Sequence, residues 1–351
     1  MDICLQQEVP GYVEEPTMMF AYPTCTADVY TPTIEQILLP GKQYPSRVVK
    51  VKVATGRTAG RTKGSRVWKL QNMLSSIFRE PQTLDFSGRF IYDTRLETDK
   101  NIAHILEGMC SYVLFAQQLL SQHLNQQVRI HVITQANPSE LVTQVFDALN
   151  IPMICTDETV YGEVVEVLPR DAAALFGIQA ELFNVDFKNY QPTTPERVFI
   201  SRKGNRRLIN NDEVIQFLEQ RGFTTYYFED LTPSEEWSIA RNTKVVVAVH
   251  GAGTANFIFN RLGLDNSKEP GSGIRMIELV SPSFALRTYQ RFAHLLNGKW
   301  CAVRGQITPE TLRYLDFSNQ PRNPLISPMK DPYKIDCNAL QLALDYFEVK
   351  A

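Results

Sequence analysis

Lys244–Asn260, reading KVVVAVHGAGTANFIFN, constrains the fold more than any other stretch. Val245-Val246-Val247-Ala248-Val249 has the length and composition of a strand buried on both faces. Such strands belong to parallel sheets covered by helices on either side. The run ends at His250, turns through Gly251-Ala252-Gly253, and continues into a segment expected to be helical from Thr254 to Leu262. Strand, glycine turn and helix present bare N–H groups where the helix dipole is positive, so the turn is expected to face an anion. The two glycines are expected to let a ligand approach the backbone closely.

The surrounding pattern is regular. Arg197–Ser201 reads as a strand, and Asn210 or Asn211 caps a helix that Gly222 stops. Phe223–Phe228 reads as a strand. Thr232-Pro233-Ser234-Glu235 is a capping box with proline in the first turn, opening a helix to about Asn242. Ile274–Val280 is a strand, Phe284–Leu296 a helix, Trp300–Val303 a strand, and Asn338–Phe347 a closing helix. Alternating strands and helices argue for a parallel sheet, whose ligands lie beyond the C-terminal strand ends. Ser201-Arg202-Lys203, Glu229-Asp230, His250–Gly253 and Ser281 fall at those ends, and Glu278 near one.

The first half is less regular. Residues 1–45 are rich in Pro, Thr and Tyr and read as an extended arm or a few edge strands. Lys42 to Lys69 carries many Lys and Arg and no acid; Arg47–Val53 within it alternates like a strand with one wet face. TGRTAGRTKGSR then fails the phosphate-loop spacing, since Arg61 stands five residues after Gly56. It is a solvated basic loop or a contact to an anionic acceptor or membrane surface. Arg89–Tyr92, Val128–Thr134, Ile151–Cys155 and Gly162–Leu168 read as strands, and Ser139–Leu149 and Asp171–Phe183 as helices. Asn101–Leu124 is an amphipathic helix with Asn101, His104 and Glu107 at one-turn intervals. Gln191–Glu196 has the composition of a linker. The expected domains are 1–190, an acceptor-side α/β domain with an N-terminal arm; 191–310, a donor-binding α/β domain; and 311–351, a tail and helix.

A net charge of −2 gives no global case for a nucleic-acid partner. No apolar run reaches the ~20 residues of a membrane span, and the first residues lack the basic and apolar regions of a signal peptide. Six scattered cysteines without a CxxC fit a reduced, cytoplasmic setting.

RVFISRKGNRRLINNDEVIQFLEQRGF, EDLTPSEEWSIARNTKVVVAVHGAGTANFIF and IRMIELVSP together closely resemble glycosyltransferase family 61, including bacterial proteins of capsular polysaccharide biosynthesis. Asn101-x-x-His104 resembles the family's upstream N-x-x-H motif, with Ile105 where an aromatic is usual; Thr254 stands where Leu usually follows GAG. The resemblance implies a GT-B-type architecture, two Rossmann-like α/β domains facing a cleft. It also implies inverting transfer from a nucleotide sugar, UDP-linked in the favoured case, to a glycan or lipid-linked saccharide, with no cofactor and no metal. The sequence has no DxD between strand and loop and no His/Cys cluster of ligand spacing.

On that reading Arg202 and Arg207 hold the diphosphate as guanidinium forks. Ser201, His250, Gly251, Ala252, Gly253 and Thr254 offer further contacts. Asn256 orients the loop or touches the donor, and Glu278 accepts from ribose or fixes the loop. His104 is the expected general base, with Glu107 in reserve, because imidazole titrates near neutral pH. Arg207 as a solvent-facing ion pair, and His104 or His250 in structural roles, are the alternatives. A dinucleotide-dependent oxidoreductase is disfavoured because Asn256 breaks G-x-G-x-x-G. A non-catalytic sugar-nucleotide or glycan binder of the same fold is the other rival.

Overall fold

The computed structural model describes residues 2–22, 34–58, 82–265, 271–282, 286–306 and 331–349. The chain divides into two compact units, Met1–Gly11 with Pro45–Asn189, and Tyr12–Tyr44 with Tyr190–Ala351. Residues 12–44 therefore belong with the C-terminal part of the chain, where the sequence reading grouped them with the first domain. The closing helix also belongs to the second unit and is not a separate tail. Residues 59–69 of the basic stretch lie outside the described residues.

In the first unit, β1 (Ile3–Val9), β6 (Arg47–Thr58), β7 (Thr83–Asp93), β8 (Ile130–Thr134), β9 (Met153–Cys155) and β10 (Thr159–Leu168) form one sheet. Its order is β1-β6-β10-β7-β8-β9. β7, β8, β9 and β10 run parallel, whereas β1 and β10 both pair antiparallel with β6. The unit is thus a mixed sheet and not a fully parallel Rossmann-like one. The alternation expected for Arg47–Val53 is observed: Val49, Val51 and Val53 are buried and Val48, Lys50 and Lys52 exposed. The expected helix from Asn101 has three parts: α1 (Ile102–Ile105), a π turn at Leu106–Cys110, and α2 (Ser111–Leu124). Ser139 caps α3 (Glu140–Ala148) by accepting from the Val142 N–H at 3.2 Å, as its position predicts. Asp171–Phe183 is mostly 3-10 helix, Ala172–Ile178, followed by a short α turn, Gln179–Leu182.

The second unit is built on a seven-stranded sheet of order β12-β11-β13-β14-β15-β3-β4. The strands are β3 (Thr17–Ala21), β4 (Glu35–Leu39), β11 (Arg197–Ser201), β12 (Thr224–Tyr227), β13 (Val245–Val249), β14 (Arg275–Val280) and β15 (Lys299–Arg304). All are parallel except β4. β13 is an interior strand and every residue in it is buried, as the unbroken β-branched run predicts. Phe199, Val245, Val247, Val249, Ile277, Leu279, Cys301 and Val303 form one core face; α4 (Asn211–Glu219) and the closing helix, α7 (Cys337–Tyr346), pack on it with Val214, Leu218, Leu340 and Leu344. Each such side chain contributes about 1.5–3 kcal/mol by burial. Along β14 the intervening residues, Met276 and Glu278, point to the other face by strand alternation.

Two local readings hold in detail. Glu235 Oε2 accepts from the Thr232 N–H at 2.8 Å and from its hydroxyl at 2.7 Å, completing the capping box of α5 (Pro233–Asn242). Gly222 adopts φ +77°, the left-handed stop after α4. The expected linker begins beside the division between the two units, at Asn189 and Tyr190. Gln191 N–H donates to Ser238 Oγ at 2.9 Å, and Asn242 Nδ2 donates to the Gln191 and Pro192 carbonyls at 3.2 Å each. The segment is laced onto α5 and is not a free spacer.

Candidate active site

In the second unit, chain order along the sheet reverses beside β11. The next strand, β12, lies on one side of it and β13 on the other. Helices on opposite faces leave a crevice beyond the C-terminal ends of two such strands. Arg202 follows β11 and His250-Gly251 follows β13, so these residues meet at that switch point.

Arg202 Nη1 donates to the His250 carbonyl at 3.0 Å, and Nε lies 3.7 Å from Glu229 Oε1. A Cβ added to Gly251 would stand 2.2 Å from Arg202 Nη1 and 2.8 Å from its Cζ. The glycine thus makes room for the guanidinium. Gly253 does the same for a ring, since a Cβ there would meet Phe228 Cδ2 at 3.3 Å. The glycines were expected to bare the backbone to a ligand; both instead admit a protein side chain. The segment after the turn is 3-10 helix, Ala252–Phe259, and not an α-helix from Thr254. A guanidinium, and not the N-terminus of an α-helix, therefore lies at the turn.

A second cation joins Arg202, and the sequence reading missed it. Arg206, half-buried at φ +62°, has its pKa lowered by burial first and then by the charge of Arg202. Glu278, Tyr289 and Tyr333 also lie within electrostatic range of it. Two guanidinium groups gathered beside one strand end attract an anion and repel each other without one. Arg207, the expected partner, is exposed, and its backbone carbonyl accepts from the Tyr333 N–H at 3.2 Å. RKGNRR alone does not say which arginine of the pair is the less exposed; Arg206, at a left-handed backbone, is half-buried and Arg207 exposed.

Other expected site residues hold up the turn. His250 Nδ1 lies 2.5 Å from Glu278 Oε1, and Trp300 Nε1 donates to Glu278 Oε2 at 2.9 Å. Both Glu278 oxygens are thus engaged inside the protein, and the side chain is fully buried. Glu278 fixes the histidine and does not reach out to a ribose. In the tautomer that carries its proton on Nδ1, His250 donates to Glu278 Oε1. Asn256, also fully buried, accepts from Trp237 Nε1 at 2.9 Å and donates to the Gly253 carbonyl at 3.0 Å and to Glu236 Oε2 at 2.5 Å. It orients the loop and does not touch a donor. Ser201 Oγ donates to Asn211 Oδ1 at 2.5 Å and is buried, joining β11 to the start of α4. The Thr254 hydroxyl is buried without a hydrogen-bond partner among the described residues, and Ala252 is half-buried.

Burial pushes the Glu236 carboxyl well above the usual range, against the opposing hydrogen bond from Asn256. Between the ordinary carboxylate pKa and this raised one, the folded state binds more protons than the unfolded state, so stability falls as pH rises through that window. Glu236→Gln keeps an acceptor for Asn256 and removes the ionisation. The variant is expected to match the wild type in acid and to exceed its unfolding free energy increasingly toward neutral pH. Equal slopes of stability against pH for the two proteins would contradict this assignment.

In the first unit, His104 and Glu107 line a cavity of about 160 Å³ with Tyr92, Glu97, Thr98, Gly108, Tyr112 and Arg170. Asn101 caps α1 by accepting from the Ala103 and His104 N–H groups at 3.0 and 3.4 Å. The π turn at Leu106–Cys110 directly follows α1 and carries Glu107 and Gly108. Single π turns inside α-helices are frequent at functional sites. Arg170 stacks over Tyr92, 5.4 Å from its centroid, and donates to the Asp93 carbonyl at 3.1 Å. Burial raises the Tyr92 and Tyr112 pKa values, keeping both phenols protonated. Below them Arg95, almost fully buried, forks onto Asp93 at 3.0 and 2.7 Å and donates to the Glu158 carbonyl at 2.7 Å.

Among the described residues no group of three or more His, Cys, Asp or Glu could hold a metal ion. No helix among them is long and apolar enough to cross a membrane.

Fold and site define an α/β unit with two arginines gathered at the switch point of a mostly parallel sheet. The family model described as Glycosyltransferase 61 matches residues 70–265, more than half of the chain. The chain belongs to glycosyltransferase family 61 and is a glycosyl-transferring enzyme. The matched residues include the Arg202, Arg206 and His250–Asn256 elements and stop before Glu278. No curated protein matches the chain. Solved structures similar to it include the iron-containing dodecameric glycosyltransferase TibC of enterotoxigenic E. coli H10407, at 10% identity and a TM-score of 0.31, over 80% of this chain and 76% of that one. The dodecameric iron-containing heptosyltransferase TibC with ADP-D-β-D-heptose gives the same identity, TM-score and coverage. At that TM-score neither likeness bears on this site.

Proposed function

We propose that the protein is an inverting, metal-independent glycosyltransferase of GT-B type that uses a nucleotide sugar, UDP-linked in the favoured case, and a glycan acceptor. The observation that carries the proposal is the Arg202 guanidinium lying across Gly251, with Arg206 beside it, at the switch point. Guanidinium groups match the paired oxygens of a diphosphate, and their charge offsets what develops on the leaving group. His250, whose Nδ1 lies against Glu278, directly precedes Gly251 in the same turn. In a single displacement the acceptor oxygen bonds to the anomeric carbon as the bond to the diphosphate oxygen breaks. The acceptor proton passes to a base, which we assign to His104, with Glu107 beside it in the cavity wall.

Thermal-shift measurements against UDP, GDP, CMP and their sugars, with and without EDTA, test the donor class. Selective stabilisation by one nucleoside diphosphate, unchanged by EDTA, is expected. Stabilisation by none would overturn the reading, and donor binding without transfer would mark a non-catalytic binder. His104→Ala is expected to lower turnover by about 10²–10⁴-fold, the usual worth of a general base, with donor affinity unchanged. Near-normal turnover would remove His104 from that role.

A further inference from the structure

A second cationic cavity lies in the same unit and has no part in the donor crevice described above. Its volume is about 280 Å³, and it is lined by Glu14, Lys42, Tyr44, Arg287, Thr288 and Arg291. The fold builds it from two elements distant in sequence. A hairpin of β2 (Tyr12–Glu14) and β5 (Lys42–Tyr44) pairs Glu14 with Lys42 in register, and Tyr12 stacks on Tyr44 at 4.4 Å. The start of α6 (Thr288–Leu295) supplies the opposite wall. Arg287 is oriented by donation from Nη1 to the Pro40 carbonyl at 2.7 Å. Gln290 Nε2 donates to the Glu15 carbonyl at 3.0 Å, tying α6 to the hairpin. Lys42 Nζ stands 4.5 Å over the Tyr44 ring, and Arg291, buried, lies 4.8 Å over Phe292.

Three cations thus face one carboxyl. Burial pushes the Glu14 pKa up against the pull of Arg287, Arg291 and Lys42. Positive charge gathered from two elements around one cavity attracts an anion. The volume far exceeds the ~30 Å³ share of one water and admits a tetrahedral oxyanion with part of the molecule that bears it. A threonine hydroxyl and two guanidinium forks are suitable donors for phosphate oxygens. We infer that this cavity is a second oxyanion site, which takes the phosphate group of a phosphate ester other than the donor diphosphate. The inference does not depend on the donor reading.

The full-length Arg202→Ala protein, whose donor crevice is weakened, is titrated calorimetrically with inorganic phosphate. Saturable binding is expected. Adding Lys42→Glu, at an exposed position, or Arg287→Ala is expected to weaken it tenfold or more, consistent with the loss of one charge-assisted contact. Arg287→Lys, which keeps the charge, should retain most of it. No saturable binding by Arg202→Ala would overturn the site, as would affinities unchanged by both Lys42→Glu and Arg287→Ala. UDP binding by the wild type is read separately, so failure of the donor assignment is distinguishable from failure of this one.

Discussion

Gly251→Ala is expected to leave the protein folded and to remove most of its affinity for a donor diphosphate. Gly251 has φ 175° and ψ 176°, an extended backbone that alanine adopts without strain. The obstacle is the Arg202 guanidinium, 2.2 Å from where the new methyl group would stand. That group is the far end of a flexible side chain, so it swings aside at small cost to stability. The displaced fork gives up its bond to the His250 carbonyl and its alignment in the crevice. Losing one charge-assisted contact costs about 1.5–3 kcal/mol, or roughly 10- to 100-fold in affinity. A melting temperature within about 2 °C of wild type, together with that loss, is the expected pair of results. A variant that binds the nucleotide normally would show that the position of Arg202 is immaterial.

Glu278→Ala is expected to do the reverse, damaging stability first. Glu278 stands in register between Ala248 and Ala302, whose small side chains leave space for a carboxylate inside the sheet's apolar face. Its removal strands the His250 Nδ1 and the Trp300 indole N–H, both buried. Leaving two buried donors unpaired costs about 1–3 kcal/mol each, or together on the order of 10 °C in melting temperature. Glu278→Gln retains the shape and one acceptor oxygen and should lose less. Unfolding of Glu278→Ala at the wild-type temperature would return the residue to a ligand-facing role.

Much of this unit is legible in sequence where local rules act alone. The β-branched run gives β13, Gly222 ends a helix, and Thr232 with Glu235 starts another. The role of Glu278 also leaves a sequence signal. A charge inside a strand whose neighbours are all apolar must find a buried partner, and IRMIELV places one there. What escapes is decided at long range. Nothing local in Thr17–Ala21 announces that it pairs with β15, some 280 residues away, because parallel pairing leaves no turn signature. RKGNRR likewise does not announce that Arg206, at a left-handed backbone, is less exposed than Arg207. The 3-10 form of Ala252–Phe259 reflects tertiary ties, with Asn256 bonded to Trp237, Glu236 and Gly253 while Phe259 stacks on Trp237 at 4.3 Å. The antiparallel half of the first sheet likewise follows from pairing with β6, which alternation alone does not orient.

Calorimetric titration with UDP, in EDTA, tests the central claim most directly, on wild type and on Arg202→Ala, Arg206→Ala and Arg207→Ala. The account predicts saturable wild-type binding, weakened roughly tenfold or more by replacing Arg202 or Arg206. Loss of Arg207, which is exposed, should change it by no more than about twofold. Wild-type affinity in both Arg202→Ala and Arg206→Ala would contradict the account, because the diphosphate would then be held elsewhere.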